Sequence, residues 1–201
     1  FGLALADLPA FVRLAGKVGA RIDVLHAHVG SGVTDKAHWA NLFAQLAGQA
    51  DAIGTVKAIN LGGGLGVPYG DDDEPFDVEA LAGALNESRK QFPQYAVWME
   101  PGRFMVAEAG VLLTRVSQVV DKLGMRRIGL DAGMNALMRP ALYQSKHRIV
   151  NLSRSGEAGD RRVDVVGPIC ESTDVLARAV YLPEATAEND VILIDTTGAY
   201  G

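Results

Sequence analysis

The stretch from Ile59 to Gly66, INLGGGLG, constrains the fold more than any other part of the chain. An apolar lead stops in three successive glycines, Gly62, Gly63 and Gly64, with Gly66 one residue further on. Glycines packed this densely supply no apolar side chain and give up the most backbone entropy on folding. They suit a place where backbone N–H groups converge on a ligand, most often a phosphate, or a tight strand-to-loop turn at the rim of a barrel. The spacing matches neither common nucleotide fingerprint. A third glycine would be needed at position 69, which is Tyr69, and no Gly-Lys-Ser/Thr follows. A phosphate-bearing ligand fits the run; ATP and NAD are not suggested.

Helix and strand patterns alternate on both sides of these glycines. Asp7 is a candidate N-cap, Pro9 sits in the first turn, and Leu8, Phe11, Val12, Ala15 and Val18 repeat at helical spacing until Gly19. Ile22 to Val29 reads as a strand that would put His26 and His28 on one face, and Gly30, Ser31 and Gly32 break it. Asp35 then caps a helix whose Trp39, Leu42, Phe43, Leu46 and Ala50 form one apolar stripe. Val56 to Leu61 is the next strand. The acidic residues 71–74 read as a solvated loop, Val78 to Leu85 as a third helix, and Tyr95 to Met99 as a third strand stopped by Glu100-Pro101-Gly102-Arg103. Alternation with polar residues at successive strand ends is the pattern of an α/β fold, and in a TIM barrel those ends form the catalytic face.

After residue 110 the rhythm changes. Strand patterns at 111–120, 127–130, 147–152, 161–166 and 191–195 are joined by loops, and 153–160 reads as an exposed hairpin-like connection. A boundary near 108–112 therefore divides an α/β part, 1–110, from a mainly β part, 111–201. A chain of 201 residues, 48% hydrophobic and 21% charged, can form a large core and has the balance of a globular protein. A net charge of −5 and the lack of a basic run argue against nucleic acid, and no run of eighteen apolar residues suggests a membrane span. One cysteine, Cys170, excludes an intrachain disulfide framework and fits a reducing compartment.

Several residues are placed to carry chemistry. His26 and His28 lack a third ligand at a recognisable spacing, so no metal is expected. His28 is either a hydrogen-bonded structural histidine or a ligand-facing one, and Ser31 either a turn serine or a phosphate donor. Glu100 and Arg103 flank a Pro-Gly pair at a strand end. The carboxylate suits a protonated ring nitrogen and the guanidinium a carboxylate or phosphate, unless the two pair with each other. Arg139 and Tyr143 lie four apart and would share one side of a helical turn. Cys170-Glu171 follows Gly167-Pro168. A lone thiol is by default buried and inert, and Glu171 and Asp174 could cap a following helix-like segment.

Taken in order, these segments resemble the meso-diaminopimelate decarboxylases. The resemblance rests on His26-Ala-His28-Val-Gly-Ser31-Gly, Gly62-Gly-Gly-Leu-Gly66, Glu100-Pro-Gly-Arg103, Asp131-Ala-Gly-Met, Arg139-Pro-Ala-Leu-Tyr143, Val166-Gly-Pro-Ile-Cys170-Glu171-Ser-Thr-Asp174 and Gly198-Ala-Tyr200-Gly201. It implies an alanine-racemase-like fold: the C-terminal part of a (β/α)8 TIM barrel followed by a mainly β domain, incomplete at its C-terminal end. The implied cofactor is pyridoxal 5'-phosphate, and the implied reaction is loss of CO2 from meso-2,6-diaminopimelate to give L-lysine, the last step of lysine biosynthesis, in the cytoplasm. By resemblance His28 stacks on the cofactor ring, and Ser31, Gly63, Gly64 and Gly66 hold its phosphate with Tyr200 nearby. Glu100 pairs with the pyridine nitrogen. Arg103, Arg139 and Tyr143 hold carboxylate and phosphate-side groups. Cys170 and Glu171 would act across a homodimer interface in a shared active site, Cys170 near the carbon to be protonated and Glu171 at the distal amino-acid end.

Ornithine- and arginine-type decarboxylases resemble the chain at the first motifs but usually carry Cys-Asp at 170–171, and a non-catalytic pyridoxal-phosphate-binding protein is a further alternative. Gly32 and Asn60 depart from the commoner Gln and Asp of the lysine-pathway enzymes. The family's Schiff-base lysine has no counterpart, since no lysine here has the aromatic-Ala-x-Lys-Ala context. By the family's layout, roughly the first five barrel units are absent from these residues. The expectation is that this segment alone does not work as a decarboxylase.

Overall fold

The computed structural model describes residues 2–70 and 72–200. Asp71, in the acidic run, and Gly201, in the last motif, lie outside the described residues. Chain contacts divide the molecule into two compact units, one of residues 1–66 and 75–102, the other of 67–74 and 103–201.

The first unit is built on a parallel sheet of three short strands, β1 (Val24–His26), β2 (Ala58–Asn60) and β3 (Ala96–Trp98), in the order β1-β2-β3. Around it run α1 (Leu8–Lys17), α2 (Ala37–Ile53) and α3 (Val78–Gln91). Each strand is shorter than its apolar run because the chain leaves the ladder early. His28 consequently falls past the end of β1, and strand alternation does not pair it with His26. The apolar stripe of α2 is buried throughout, with Trp39 1% and Phe43 0% exposed. These rings meet Phe76 and Phe92 edge-on, at 5.5 and 6.2 Å between centroids. Each such ring stabilises the fold by roughly 1.5–3 kcal/mol through burial. Asp35 accepts from the Ala37 amide one residue ahead of the cap position, and Asp77 caps α3 through the Ala80 amide.

The second unit is a six-stranded sheet. After a short α4 (Gly102–Val106), β4 (Leu112–Lys122) and β5 (Met125–Leu130) form a hairpin across Leu123-Gly124, both with positive φ. That conformation matches the twist of the flanking strands in a two-residue turn. Then follow α5 (Arg139–Tyr143), β6 (Ile149–Asn151), β7 (Arg161–Val166), β8 (Val175–Leu182) and β9 (Val191–Ile194), in the sheet order β6-β9-β4-β5-β7-β8. Only β5 and β7 pair in parallel, and the edge strands β6 and β8 approach each other, so the sheet is a nearly closed barrel. Inward residues such as Ile128, Leu130, Val165 and Ile194 are fully buried and form its core.

The class is thus α/β, with a β-rich second unit. The parallel sheet has three strands, and the described residues contain no closed eight-stranded barrel. Two local expectations are corrected. Residues 175–182 form a strand rather than a helix, because Leu176 packs inward while its neighbours pair with β7. The 153–160 connection is no hairpin, because it joins β6 to β7, which do not pair with each other.

Candidate functional site

In the first unit the candidate residues gather at the C-terminal ends of the three parallel strands. β2 is the central strand, so its following loop, Gly62 to Gly66, lies between the loops that leave β1 and β3. A Cβ on Gly63 would stand 2.2 Å from the Glu100 carbonyl oxygen, and one on Gly64 2.2 Å from that of Gly30. Gly64 also has a φ of +97°. Backbone packing alone therefore requires glycine here, which accounts for the run as a tight turn. Two amides are nevertheless left over, those of Gly64 and Leu65. Gly62 N–H donates to Asn60 Oδ1 at 3.0 Å and Gly63 N–H to His28 Nδ1 at 3.2 Å. The half-buried Gly64 N–H makes no hydrogen bond among the described residues.

Accepting at Nδ1 fixes the His28 ring and, in the neutral form, puts its proton on Nε2. Glu100, just beyond β3, accepts from Asn60 Nδ2 at 2.8 Å through Oε1, and its Oε2 lies 3.6 Å from His26 Nε2. Asn60 thus holds both the glycine loop and the carboxylate. Its identity was noticed in the sequence, but this double bond was not. Among the described residues no group of three His, Cys, Asp or Glu side chains is placed to hold a metal ion.

In the second unit the candidates form two clusters. The first is centred on Tyr69, which the sequence did not flag. Its hydroxyl accepts from Arg103 Nη1 and from Arg139 Nη1, each at 2.8 Å. The Arg103 guanidinium also lies 4.7 Å from the centre of the Tyr200 ring. Tyr200 is set there by a close crossing of the chain: Gly198 N–H donates to Ala107 O at 2.9 Å, and a Cβ on Gly198 would stand 1.9 Å from the Val106 carbonyl oxygen. The Tyr69 ring packs edge-on against buried His147, whose Nδ1 donates to the Asp195 carbonyl at 2.9 Å. Burial pushes the His147 pKa down, and the positive charges of Arg139 and Arg103 add to it, so the ring is held neutral. Tyr143, one turn beyond Arg139 on α5, is 72% exposed and has no part in this cluster.

The second cluster is the loop 167–174. Cys170 is an exposed free thiol rather than a buried one. The Glu171 carboxylate accepts from the Ser172 hydroxyl at 3.1 Å and the Thr173 amide at 3.3 Å, and these bonds lower its pKa, so it stays charged. Asp174 does not cap a helix. Buried at 3% exposure, it accepts from the Met134 amide at 2.6 Å and the Ile169 amide at 2.8 Å, tying the loop to the segment Asp131-Ala-Gly-Met. Asp131 itself is fixed by the Thr114 hydroxyl and the Arg115 amide, which hold its carboxyl below the usual range.

A family model described as the C-terminal sheet domain of pyridoxal-dependent decarboxylases matches residues 27–198. The chain is 39% identical to the diaminopimelate decarboxylase of Bacillus subtilis, over 88% of the chain and 43% of that protein. It is 36% identical to that of Methanothermobacter thermautotrophicus, over all of the chain and 49% of the relative. The crystal structure of diaminopimelate decarboxylase from Helicobacter pylori complexed with L-lysine superposes with a TM-score of 0.85 at 32% identity, covering 100% of this chain and 50% of the other. The chain spans about half the length of the curated relatives it matches. No described helix is long and apolar enough to cross a membrane. The chain belongs to the family of pyridoxal-dependent decarboxylases.

Proposed function

We propose that the protein carrying this chain is a cytoplasmic pyridoxal-phosphate-dependent carboxy-lyase that converts meso-2,6-diaminopimelate to L-lysine. The observation that carries this reading is the arrangement at the parallel strand ends: a fixed His28 ring, a glycine loop with unbonded amides at Gly64 and Leu65, and a Glu100 carboxylate oriented by Asn60. These residues fit pyridoxal 5'-phosphate. The Gly64 N–H, with Ser31 and Gly66 beside it, is a donor for the phosphate, His28 offers a ring face for stacking, and Glu100 is an anionic acceptor for the pyridine N–H. When bound, the cofactor supplies an electron sink for the carbon that loses CO2.

This chain's own residues supply the contacts around it, while the family's Schiff-base lysine has no counterpart among them. Glu100, held at Oε1 by Asn60, would keep the ring nitrogen protonated. Arg103 and Arg139 bind carboxylate, with Tyr143 at the exposed edge of α5 and Tyr200 on the phosphate side. Glu171, held in its charged form, suits the distal ammonium of the substrate. The Cys170 Sγ, exposed on the same loop, holds the proton delivered to the carbon after CO2 leaves. In this reading residues 1–110 are the C-terminal portion of a (β/α)8 barrel and 111–201 the β domain, and two copies form a homodimer in which Cys170 and Glu171 complete the partner's site.

The test follows the absorbance of the full-length, cofactor-loaded protein as meso-diaminopimelate is added, with released CO2 measured in parallel. A visible band that shifts with substrate while CO2 appears is the expected result. A band with CO2 from L-ornithine or L-arginine instead would move the assignment to a sister decarboxylase. No band in the presence of excess cofactor would overturn the reading.

A further inference from the structure

His26 is a strand-end residue that the contacts proposed above leave unused. It ends β1, and in the parallel register it stands level with Asn60, which ends β2. Register partners on neighbouring parallel strands point to the same face of the sheet. Ile59, one residue back, is fully buried, so Asn60 and His26 look out on the opposite face. There the Glu100 carboxylate meets both side chains. Its Oε1 accepts from Asn60 Nδ2 at 2.8 Å, and its Oε2 lies 3.6 Å from His26 Nε2.

The carboxylate is held in place from several sides. Glu100 N–H donates to Gly62 O at 2.9 Å and the Glu100 carbonyl packs against Gly63, which pins the backbone beneath the side chain. Gly62 N–H can only donate, so Asn60 turns Oδ1 toward it and keeps its NH2 for Glu100. With Oε1 taken, Oε2 is the oxygen on the His26 side. A separation of 3.6 Å is ion-pair range, and closing by about 0.7 Å would make it a hydrogen bond of ordinary length. Both side chains are about half exposed, and a pair so solvated adds little to folding. Covering the strand ends with a ligand removes that water, and the donor to Oε2 then matters more.

We infer that His26 is a positioning residue for the proposed pyridoxal-phosphate site: it donates through Nε2–H to Glu100 Oε2 and, with Asn60, keeps that carboxylate anionic. The inference rests on the decarboxylase reading, in which Glu100 faces the pyridine nitrogen. Hydrogen-bond donors to a carboxylate lower its own affinity for a proton. The proton between the two groups therefore stays on the ring nitrogen, where the electron sink needs it, and does not pass to Glu100. A carboxylate oxygen has two lone pairs, so Oε2 accepts from His26 and from the ring together.

The experiment loads the full-length protein with pyridoxal 5'-phosphate labelled at its ring nitrogen, whose NMR shift separates the protonated from the unprotonated ring. His26→Leu keeps the bulk and removes the donor, whereas His26→Gln keeps an N–H donor near the position of Nε2. In wild type the shift is expected to be that of a protonated nitrogen, and in His26→Leu to move toward the unprotonated one. Cofactor binding, read by absorbance titration, should weaken about threefold to tenfold in His26→Leu and return to within about twofold of wild type in His26→Gln. The unfolding midpoint of the cofactor-free protein should match wild type in both variants. An unmoved nitrogen shift in His26→Leu overturns the assignment. So does a His26→Gln that behaves like His26→Leu, or a fall in the cofactor-free midpoint that accounts for the weaker binding. A wild type that takes up no cofactor overturns the decarboxylase reading itself.

Discussion

Replacing Asp174 by Asn changes one oxygen to an NH2 group and alters the side-chain volume very little, yet the structure predicts a large cost. Both carboxylate oxygens are in use, Oδ1 with the Met134 amide and Oδ2 with the Ile169 amide. The group lies flush against two glycines: a Cβ would stand 2.6 Å from Oδ1 at Gly133 and 2.2 Å from Oδ2 at Gly167. An asparagine can serve only one of the two amides and turns a donor toward the other. The loss combines one charge-assisted bond with one buried donor left unsatisfied, together about 2–4 kcal/mol. The close glycines leave no room for the side chain to swing away, or for a water to mediate. Denaturant unfolding of Asp174→Asn against wild type, analysed for both midpoint and slope, measures this directly. A loss below about 0.5 kcal/mol with an unchanged slope would refute the reasoning that the carboxylate is what fixes the Cys170–Glu171 loop.

Other outcomes follow from the same geometry. Asn60→Ala removes the bond that orients Glu100 and should weaken pyridoxal-phosphate binding about fivefold, read by absorbance titration; unchanged affinity would show that Glu100 orients itself. Gly64→Ala meets both a positive φ and a backbone oxygen, and should cost more than about 2 kcal/mol in unfolding free energy. Gly83→Ala, in open space within α3, should instead gain about 0.5–1 kcal/mol, and a shared sign for the two would contradict the packing argument. His147 has a folded pKa below its unfolded value of about 6.5, so the unfolded chain takes up the proton first as pH falls. Stability should therefore be complete above about pH 6.5 and decline as the pH drops through the window beneath it. His147→Gln should flatten that part of the profile, measured as unfolding midpoints between pH 7.5 and 5.

The apolar stripe of α2 was legible because 3.6-residue periodicity and burial come from the same residues, Trp39 to Ala50. The strand ends were legible because glycine, proline and charge interrupt apolar runs at Gly62 and Pro101. β8 was not, since Ala177, Arg178 and Ala179 break the alternation, and the register of β7 against β8 shifts at Val163 and Val165 to accommodate them. His28, Glu100, Arg103 and Arg139 stood out as chemical types at recognisable punctuation. Tyr69 and His147 did not, nor did the bond from Asn60 to Glu100, because each involves partners 34 to 70 residues away that no local spacing encodes. The glycine run shows the reverse case: its prominence is explained first by three loops crowding together, and among the described residues the Gly64 and Leu65 amides remain without a partner.

The second unit takes one of its segments, residues 67–74, from upstream of a stretch that belongs to the first. On a growing chain Tyr69 emerges long before Arg139 and His147 exist, so the turn set by Asp73 must wait for its partners. The contact between Tyr69 and Arg139 spans 70 residues, and closing a loop of that length is an entropic cost met late in folding. A protease cut between Gly102 and Arg103 would therefore not separate the two units cleanly. It would leave the β-rich fragment without its tyrosine and the other fragment with a dangling aromatic hook, so the pieces should stay associated until denatured.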